Sequence, residues 1–154
     1  MEPINVHDYE RLARDRLSPD AWAYYSSGAD DEITLRDEHA AFERLCILPR
    51  VLRSVSHAYP GTTVLGAPVS MPILIAPTAL HGLAHPEGEC ATARAAGEAG
   101  TIMVLSTVAT RSLEEVAAAP TGPLWFQLYV YRGARDLAEW LVRRADRADT
   151  GRSC

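Results

Sequence analysis

From residue 71 onward the sequence alternates in a way that leaves few folds open. Pro72-Ile73-Leu74-Ile75-Ala76-Pro77, Thr101-Ile102-Met103-Val104-Leu105 and Leu124-Trp125-Phe126-Gln127-Leu128 are apolar runs of strand length. They lack the polar alternation of a sheet that faces water on one side, and so read as strands buried on both faces. Each run is followed by helix texture. Pro86-Glu87-Gly88-Glu89 is an acidic helix start leading into an Ala-rich segment that ends at Gly97 or Gly100; a short helix is expected around Ser112 to Ala119; and Ala134 to Ala148 places Leu137, Leu141 and Ala145 on one helical face. Strand and helix in turn predict an α/β chain of about three parallel βα units. Periodicity alone leaves a doubly wound sheet and a (β/α) barrel equally open.

Helices are expected ahead of this pattern. Asn5 is placed to cap a helix through Leu12, with Val6, Tyr9 and Leu12 on one face, and Ser18-Pro19 reads as an N-cap followed by proline at the first helical position. That second helix is expected to stop at Ser27-Gly28, with the glycine at positive φ. Asp30-Asp31-Glu32 is read as capping a third helix, Ile33 to Leu45, where the macrodipole favours negative charge. Thr62 to Leu65 reads as a short strand before a Gly66-Ala67-Pro68 turn.

Composition removes several function classes. With 20 acidic against 15 basic residues the net charge is -5, and no basic stripe offsets it, so nucleic acid is not an expected partner. All 15 basic residues are Arg, which excludes a Walker lysine or a lysine Schiff base from this sequence. The 3 cysteines, Cys46, Cys90 and Cys154, are widely spaced and suit a reducing cytoplasm. The most apolar run, Met71 to Leu80, is too short to span a bilayer and holds Pro72 and Pro77, so a soluble cytoplasmic protein with no membrane span is expected. His81, His85, Glu87 and Glu89 imitate metal-ligand spacing, but Pro86 starts the helix after both histidines, so no metal is expected. There is no G-x-S-x-G to make Ser106 a nucleophile and no G-x-G-x-x-G for a dinucleotide.

Ligands of parallel βα folds sit at the C-terminal ends of the strands. Here those ends read Pro77-Thr78-Ala79, Ser106-Thr107 and Gln127-Leu128-Tyr129, so each apolar run releases hydrogen-bonding groups at the same edge. A buried polar group left unpaired costs about 1–3 kcal/mol, and its recurrence at all three ends points to a shared ligand.

These residues, in order, carry a resemblance. Met71 to Ala79, His85-Pro86-Glu87-Gly88-Glu89, Phe126-Gln127-Leu128-Tyr129 and the N-terminal Asn5-Val6, Asp8-Tyr9-Glu10 and Tyr24-Tyr25-Ser26-Ser27-Gly28-Ala29 resemble the FMN-dependent α-hydroxy-acid oxidase/dehydrogenase family, over residues 4 to 148. The resemblance implies the (β/α)8 TIM-barrel family, here as an incomplete barrel of about three βα units preceded by N-terminal helices. Residues 1–148 would be the N-terminal part of the FMN domain and 149–154 a non-matching polar tail. It implies FMN at the C-terminal mouth, with Pro77, Thr78 and Ala79 wrapping the flavin and the Ala79 amide near its N5. Ser106 would bond the isoalloxazine and Gln127 its pyrimidine edge. Tyr129 would lie between flavin and substrate and orient the oxygen being oxidised, and Tyr24 would bind the substrate carboxylate. The implied reaction is oxidation of a 2-hydroxy acid to the 2-oxo acid, with O2 or another electron acceptor. A homo-oligomer is implied for full-length members. Val108 stands where many relatives carry a bulky aromatic, which implies a roomier pocket.

The family's base His, its carboxylate-gripping Arg and its Lys near flavin N1 belong to segments beyond those matched here, so this chain alone is expected to be inactive. Two readings from other classes stand beside it: a non-catalytic βα fragment serving assembly, and a flavin-free barrel enzyme for a phosphorylated metabolite.

Overall fold

The computed structural model describes residues 2–54, 56–119 and 122–150. The chain divides into two compact units, Met1–Ala58 and Tyr59–Cys154.

The first unit holds α1 (Val6–Arg14), α2 (Pro19–Ser26) and α3 (Ile33–Arg44). The expected caps form. The Asn5 side chain accepts the Asp8 N–H at 3.0 Å, and Ser18 accepts the Ala21 N–H at 3.2 Å with Pro19 at the first helical position. Asp8 completes a reciprocal cap. It is buried, accepts the Ile4 N–H at 2.9 Å and pairs with Arg11. The Ile4 amide is the leading cause that holds its carboxyl below the usual range.

Two expectations fail here. Glu32 occupies the N-cap of α3 in the left-handed region, φ 56, and makes no side-chain cap; its carboxylate reaches back to the Gly28 N–H at 3.1 Å. Gly28 is not among the positive-φ residues. Its value is space, because a Cβ there would meet Leu35 Cβ at 3.1 Å.

The second unit begins with an antiparallel hairpin of β1 (Thr62–Val64) and β2 (Ala67–Val69). Leu65 and Gly66 both take positive φ, 47 and 85, as a two-residue turn of the primed kind requires. The turn is therefore Leu65-Gly66, and Ala67-Pro68-Val69 is strand where the sequence suggested turn. Pro68 is tolerated because this two-stranded ribbon has only edge strands.

Next come a single turn of 3₁₀ helix, His81–Leu83, then α4 (Glu89–Glu98), β3 (Met103–Leu105), α5 (Leu113–Ala118), β4 (Leu124–Phe126) and α6 (Arg135–Thr150). β3 and β4 pair in parallel, with Met103 opposite Leu124 and Leu105 opposite Phe126. The first apolar run, 72–77, is reduced to one parallel bridge, Ile75 opposite Met103. Ile75 exchanges bonds of 2.9 Å with the Ile102 carbonyl and the Val104 N–H. Proline at 72 and 77 removes a donor from each end of the run, and the Thr101 hydroxyl bonds the Ile73 carbonyl in place of a backbone amide. The order across this layer is thus 75, β3, β4, with helices between, as βα units require. Among the described residues no closed barrel forms.

One face of this layer makes the core. Ile75, Met103, Leu105, Leu124 and Phe126 pack with Ala93 and Ala96 of α4, Leu113 and Val116 of α5, and Ala145 and Ala148 of α6. Strand side chains alternate faces, so Val104 and Trp125 project from the other side, where both are only half-buried. α5 starts on a full capping box between Ser112 and Glu115. It is tied to α6 by the Arg144 guanidinium fork on Glu114, at 2.8 and 2.5 Å. The helix α6 runs past Ala148 through Thr150; the rest of the expected tail, 151–154, lies outside the described residues.

Candidate flavin edge at the strand tips

Met103 stands between Ile75 and Leu124 across the layer. Thr78, Ser106 and Gln127 each follow just after the paired residues of their segment, in loop. These are residues that the sequence analysis singled out, and backbone bonds join the segments that carry them.

Backbone and side-chain bonds hold the tips together. The Gln127 N–H extends the β3–β4 ladder to the Leu105 carbonyl at 2.8 Å. Gln127 Oε1 accepts the Thr107 N–H at 3.3 Å, and the Thr107 hydroxyl bonds the Gln127 carbonyl and accepts the Tyr129 N–H at 3.1 Å. On the other flank the Leu80 N–H donates to the Val108 carbonyl at 3.1 Å. Ser106, only 5% exposed, accepts the Val108 N–H on its Oγ at 3.1 Å. That bond uses the oxygen and leaves the hydroxyl hydrogen to donate. The Gln127 Nε2 likewise has no partner among the described residues. Thr78 is exposed, and its hydroxyl makes only a long 3.5 Å bond to the Ala76 carbonyl.

Under these tips lies a residue that the sequence reading took only for an acidic helix start. Glu89 is fully buried at the first position of α4. Its Oε1 accepts the His81 N–H at 3.1 Å and the Thr110 N–H at 2.8 Å; its Oε2 accepts the Thr110 hydroxyl at 2.6 Å and the Arg111 N–H at 3.1 Å. Burial pushes this carboxyl up, but the Thr110 and His81 hydrogen bonds outweigh it, so the net shift is downward. Close packing accompanies the bonds. The Gly82 N–H donates to Thr110 Oγ1 at 3.0 Å, and a Cβ on Gly82 would meet that oxygen at 2.9 Å. A readable signal existed: Glu89, Ala93 and Ala96 fall at i, i+4 and i+7, an acid in a core position of an Ala-rich helix. Next to it, burial pushes the Cys90 thiol up.

The remaining candidates fall into two groups. Tyr129, half-exposed, is joined to the tips through its N–H, with its ring 6.1 Å from that of Tyr131. Pro77 and Ala79 flank Thr78 in the loop after Ile75. Tyr24 lies in the first unit on α2, its ring set edge-on to Tyr25 at 5.2 Å. Of the histidine pair, His81 bonds Thr92 Oγ1 through Nδ1 at 3.0 Å and His85 takes the Glu87 N–H at 3.2 Å. Among the described residues no group of three or more His, Cys, Asp or Glu is placed to hold a metal ion, and no helix is long and apolar enough to cross a membrane.

Comparison with known proteins supplies the family. The FMN-dependent dehydrogenase profile matches residues 13–152. Glycolate oxidase 1 of Zea mays is 53% identical over 147 residues, which is 96% of this chain and 40% of that protein. A soluble mutant of the membrane-associated (S)-mandelate dehydrogenase of Pseudomonas putida superposes with a TM-score of 0.89 at 39% identity, covering 96% of this chain and 42% of that one. The flavin-binding domain of baker's yeast flavocytochrome b2 superposes with a TM-score of 0.90 at 39% identity, covering 95% and 38%. The chain therefore spans about 40% of the length of the curated relatives it matches. The fold is correspondingly a partial α/β piece of what is a (β/α)8 barrel in those enzymes. The chain belongs to the FMN-dependent dehydrogenase family of flavoprotein oxidoreductases.

Proposed function

We propose that this chain carries the first wall of an FMN site and that the reaction it serves is oxidation of a 2-hydroxy acid to the 2-oxo acid. The observation that supports this reading is the adjacency of the segments after Ile75, β3 and β4, which carry Thr78, Ser106 and Gln127 and are joined by the Leu80 to Val108 and Gln127 to Leu105 backbone bonds. Their donor set fits the group. The Ser106 hydroxyl hydrogen and the Gln127 Nε2 are both unspent, and an isoalloxazine offers carbonyl and ring-nitrogen acceptors along one edge. Pro77, Thr78 and Ala79 would wrap that ring from the neighbouring loop. FMN, when bound, supplies the acceptor for the two electrons of the hydroxy acid, which in an oxidase pass on to O2 to give hydrogen peroxide.

The chain's own residues would do the positioning. Tyr129, fixed at the β4 tip through Thr107, orients the substrate oxygen being oxidised. Val108 is 42% exposed between the Ser106 and Leu80 bonds that anchor its backbone. A small side chain at this point of the tips leaves room for a longer or aromatic hydroxy acid. The free thiols Cys46 and Cys90 suit a reducing, cytoplasmic setting. The base that the resemblance implies is assigned to no residue among those described, and the chain by itself is expected not to turn over substrate.

Two measurements test this. After incubation with FMN and gel filtration the protein should retain yellow absorbance without oxidising any 2-hydroxy acid; a colourless protein contradicts the flavin wall, and turnover contradicts the inactivity. In a chimera that places residues 1–148 on the rest of the maize relative, long-chain or aromatic hydroxy acids should be preferred over glycolate, and Val108→Trp should reverse the order. Strict preference for glycolate with Val108 in place would contradict the substrate class.

A further inference from the structure

We propose that Glu89 is a positioning residue for the flavin edge: its buried carboxylate clasps the loop after Ile75 to the loop after β3 and so fixes the spacing between Thr78 and Ser106. The proposal rests on the flavin-wall reading above and deepens it. β3 and β4 are held at their tips by their own ladder and by Thr107. The loop after Ile75 has no such ladder, because its pairing with β3 is a single bridge. Among the bonds that join it to the next tip are the Leu80 to Val108 backbone bond, the Gly82 N–H to Thr110 Oγ1 bond and the three backbone bonds that converge on Glu89.

The chemistry of the clasp is specific to a carboxylate. Three backbone N–H groups and one hydroxyl all point donors at two oxygens. An acceptor-only group satisfies all four; an amide of the same shape must turn its NH2 toward at least one of the three backbone N–H donors. Among the described residues no side-chain cation pairs with Glu89. The Arg111 guanidinium is spent on the Pro86 carbonyl at 2.6 Å and pairs with Glu115. Packing around the Thr110 hydroxyl is close, since a Cβ on Gly82 or Gly88 would meet its oxygen at 2.9 or 3.1 Å. The carboxylate therefore links backbone to backbone, from residue 81 to residues 110 and 111. Those positions lie a few residues beyond Thr78 on one side and Ser106 on the other.

The test uses the full 154-residue chain with Glu89→Gln, and with Val116→Ala as a control. Val116 is fully buried in α5 and is not among the residues bonded to Glu89, so its truncation loosens the core while leaving the clasp's bonding groups in place. FMN titration followed by flavin fluorescence should show at least a ten-fold weaker affinity in Glu89→Gln than in Val116→Ala when the two are compared at equal distance below their melting temperatures. Amide hydrogen exchange should accelerate at Leu80, His81, Thr110 and Arg111 in Glu89→Gln while Val104 and Gln127, in the ladder, stay protected. Equal affinities in the two variants, or protection retained at Leu80 and Thr110, overturns the proposal. A wild-type chain that takes up no FMN contradicts the flavin-wall reading instead, and the exchange pattern then decides the clasp by itself. Loss of protection throughout the second unit in Glu89→Gln also overturns it, because the residue would then be holding the fold and not the tips.

Discussion

Glu89 and Glu114 both sit below the usual carboxylate range, for different reasons. For Glu89 burial acts upward and is outweighed by the Thr110 and His81 hydrogen bonds; for exposed Glu114 the Arg144 fork brings the value down to about 2. In each case the folded state binds the proton less readily than the unfolded chain, whose reference value is 4.5. Their contributions are thus fully present above that value and are lost as pH falls through it toward the folded values. The melting temperature followed by circular dichroism should be level from pH 7 down to about 5 and fall below that, with a shallower acid limb in Glu114→Gln. A melting temperature that rises on acidification would contradict the assignment. At this scale the caps Asn5 and Ser18 were legible, since a short polar side chain before an apolar face has one dominant local use. The roles of Asp8 and Glu89 were not read. Each accepts backbone amides, of Ile4 in one case and of His81, Thr110 and Arg111 in the other, and for Glu89 those partners lie in loops that only the tertiary fold brings near.

Elements differ in how much of their geometry is local. α5 is six residues long, too short to persist without its capping box. Ser112→Ala removes the acceptor for the Glu115 N–H and should lower stability by about 1 kcal/mol in urea unfolding. The β1–β2 turn carries the opposite lesson. Leu65 stands at φ 47 with its side chain 89% exposed, so it has strain without compensating burial. Leu65→Asn, which makes an Asn-Gly turn, should raise stability by about 1 kcal/mol in the same assay. A loss there would contradict the turn type. The hairpin was misread because Leu is a poor advertisement for a left-handed turn, and because Gly-Ala-Pro has the composition of one. The run 72–77 was legible as apolar and parallel to β3 but not as a one-bridge contact, since the positions of its prolines relative to the ladder depend on its neighbour.

For the whole molecule, the alternation of apolar run and helix was enough to announce parallel βα units, and the polar residue after each run was enough to name the tips. Which architecture those units belong to was not legible in the periodicity, because doubly wound sheets and barrels share it; the family settled that. That the segments carrying Thr78, Ser106 and Gln127 come together needed the pairing, which a sequence does not state when its strands are only three paired residues long. On this register a flavin should be felt at three separated segments at once and almost nowhere else in the second unit. Titrating FMN into the isotopically labelled chain and following backbone amide chemical shifts tests that directly. Shifts are expected to concentrate at residues 76–80, 105–109 and 126–130; no shifts, or shifts confined to helices α4 to α6, would contradict a flavin seated at these tips.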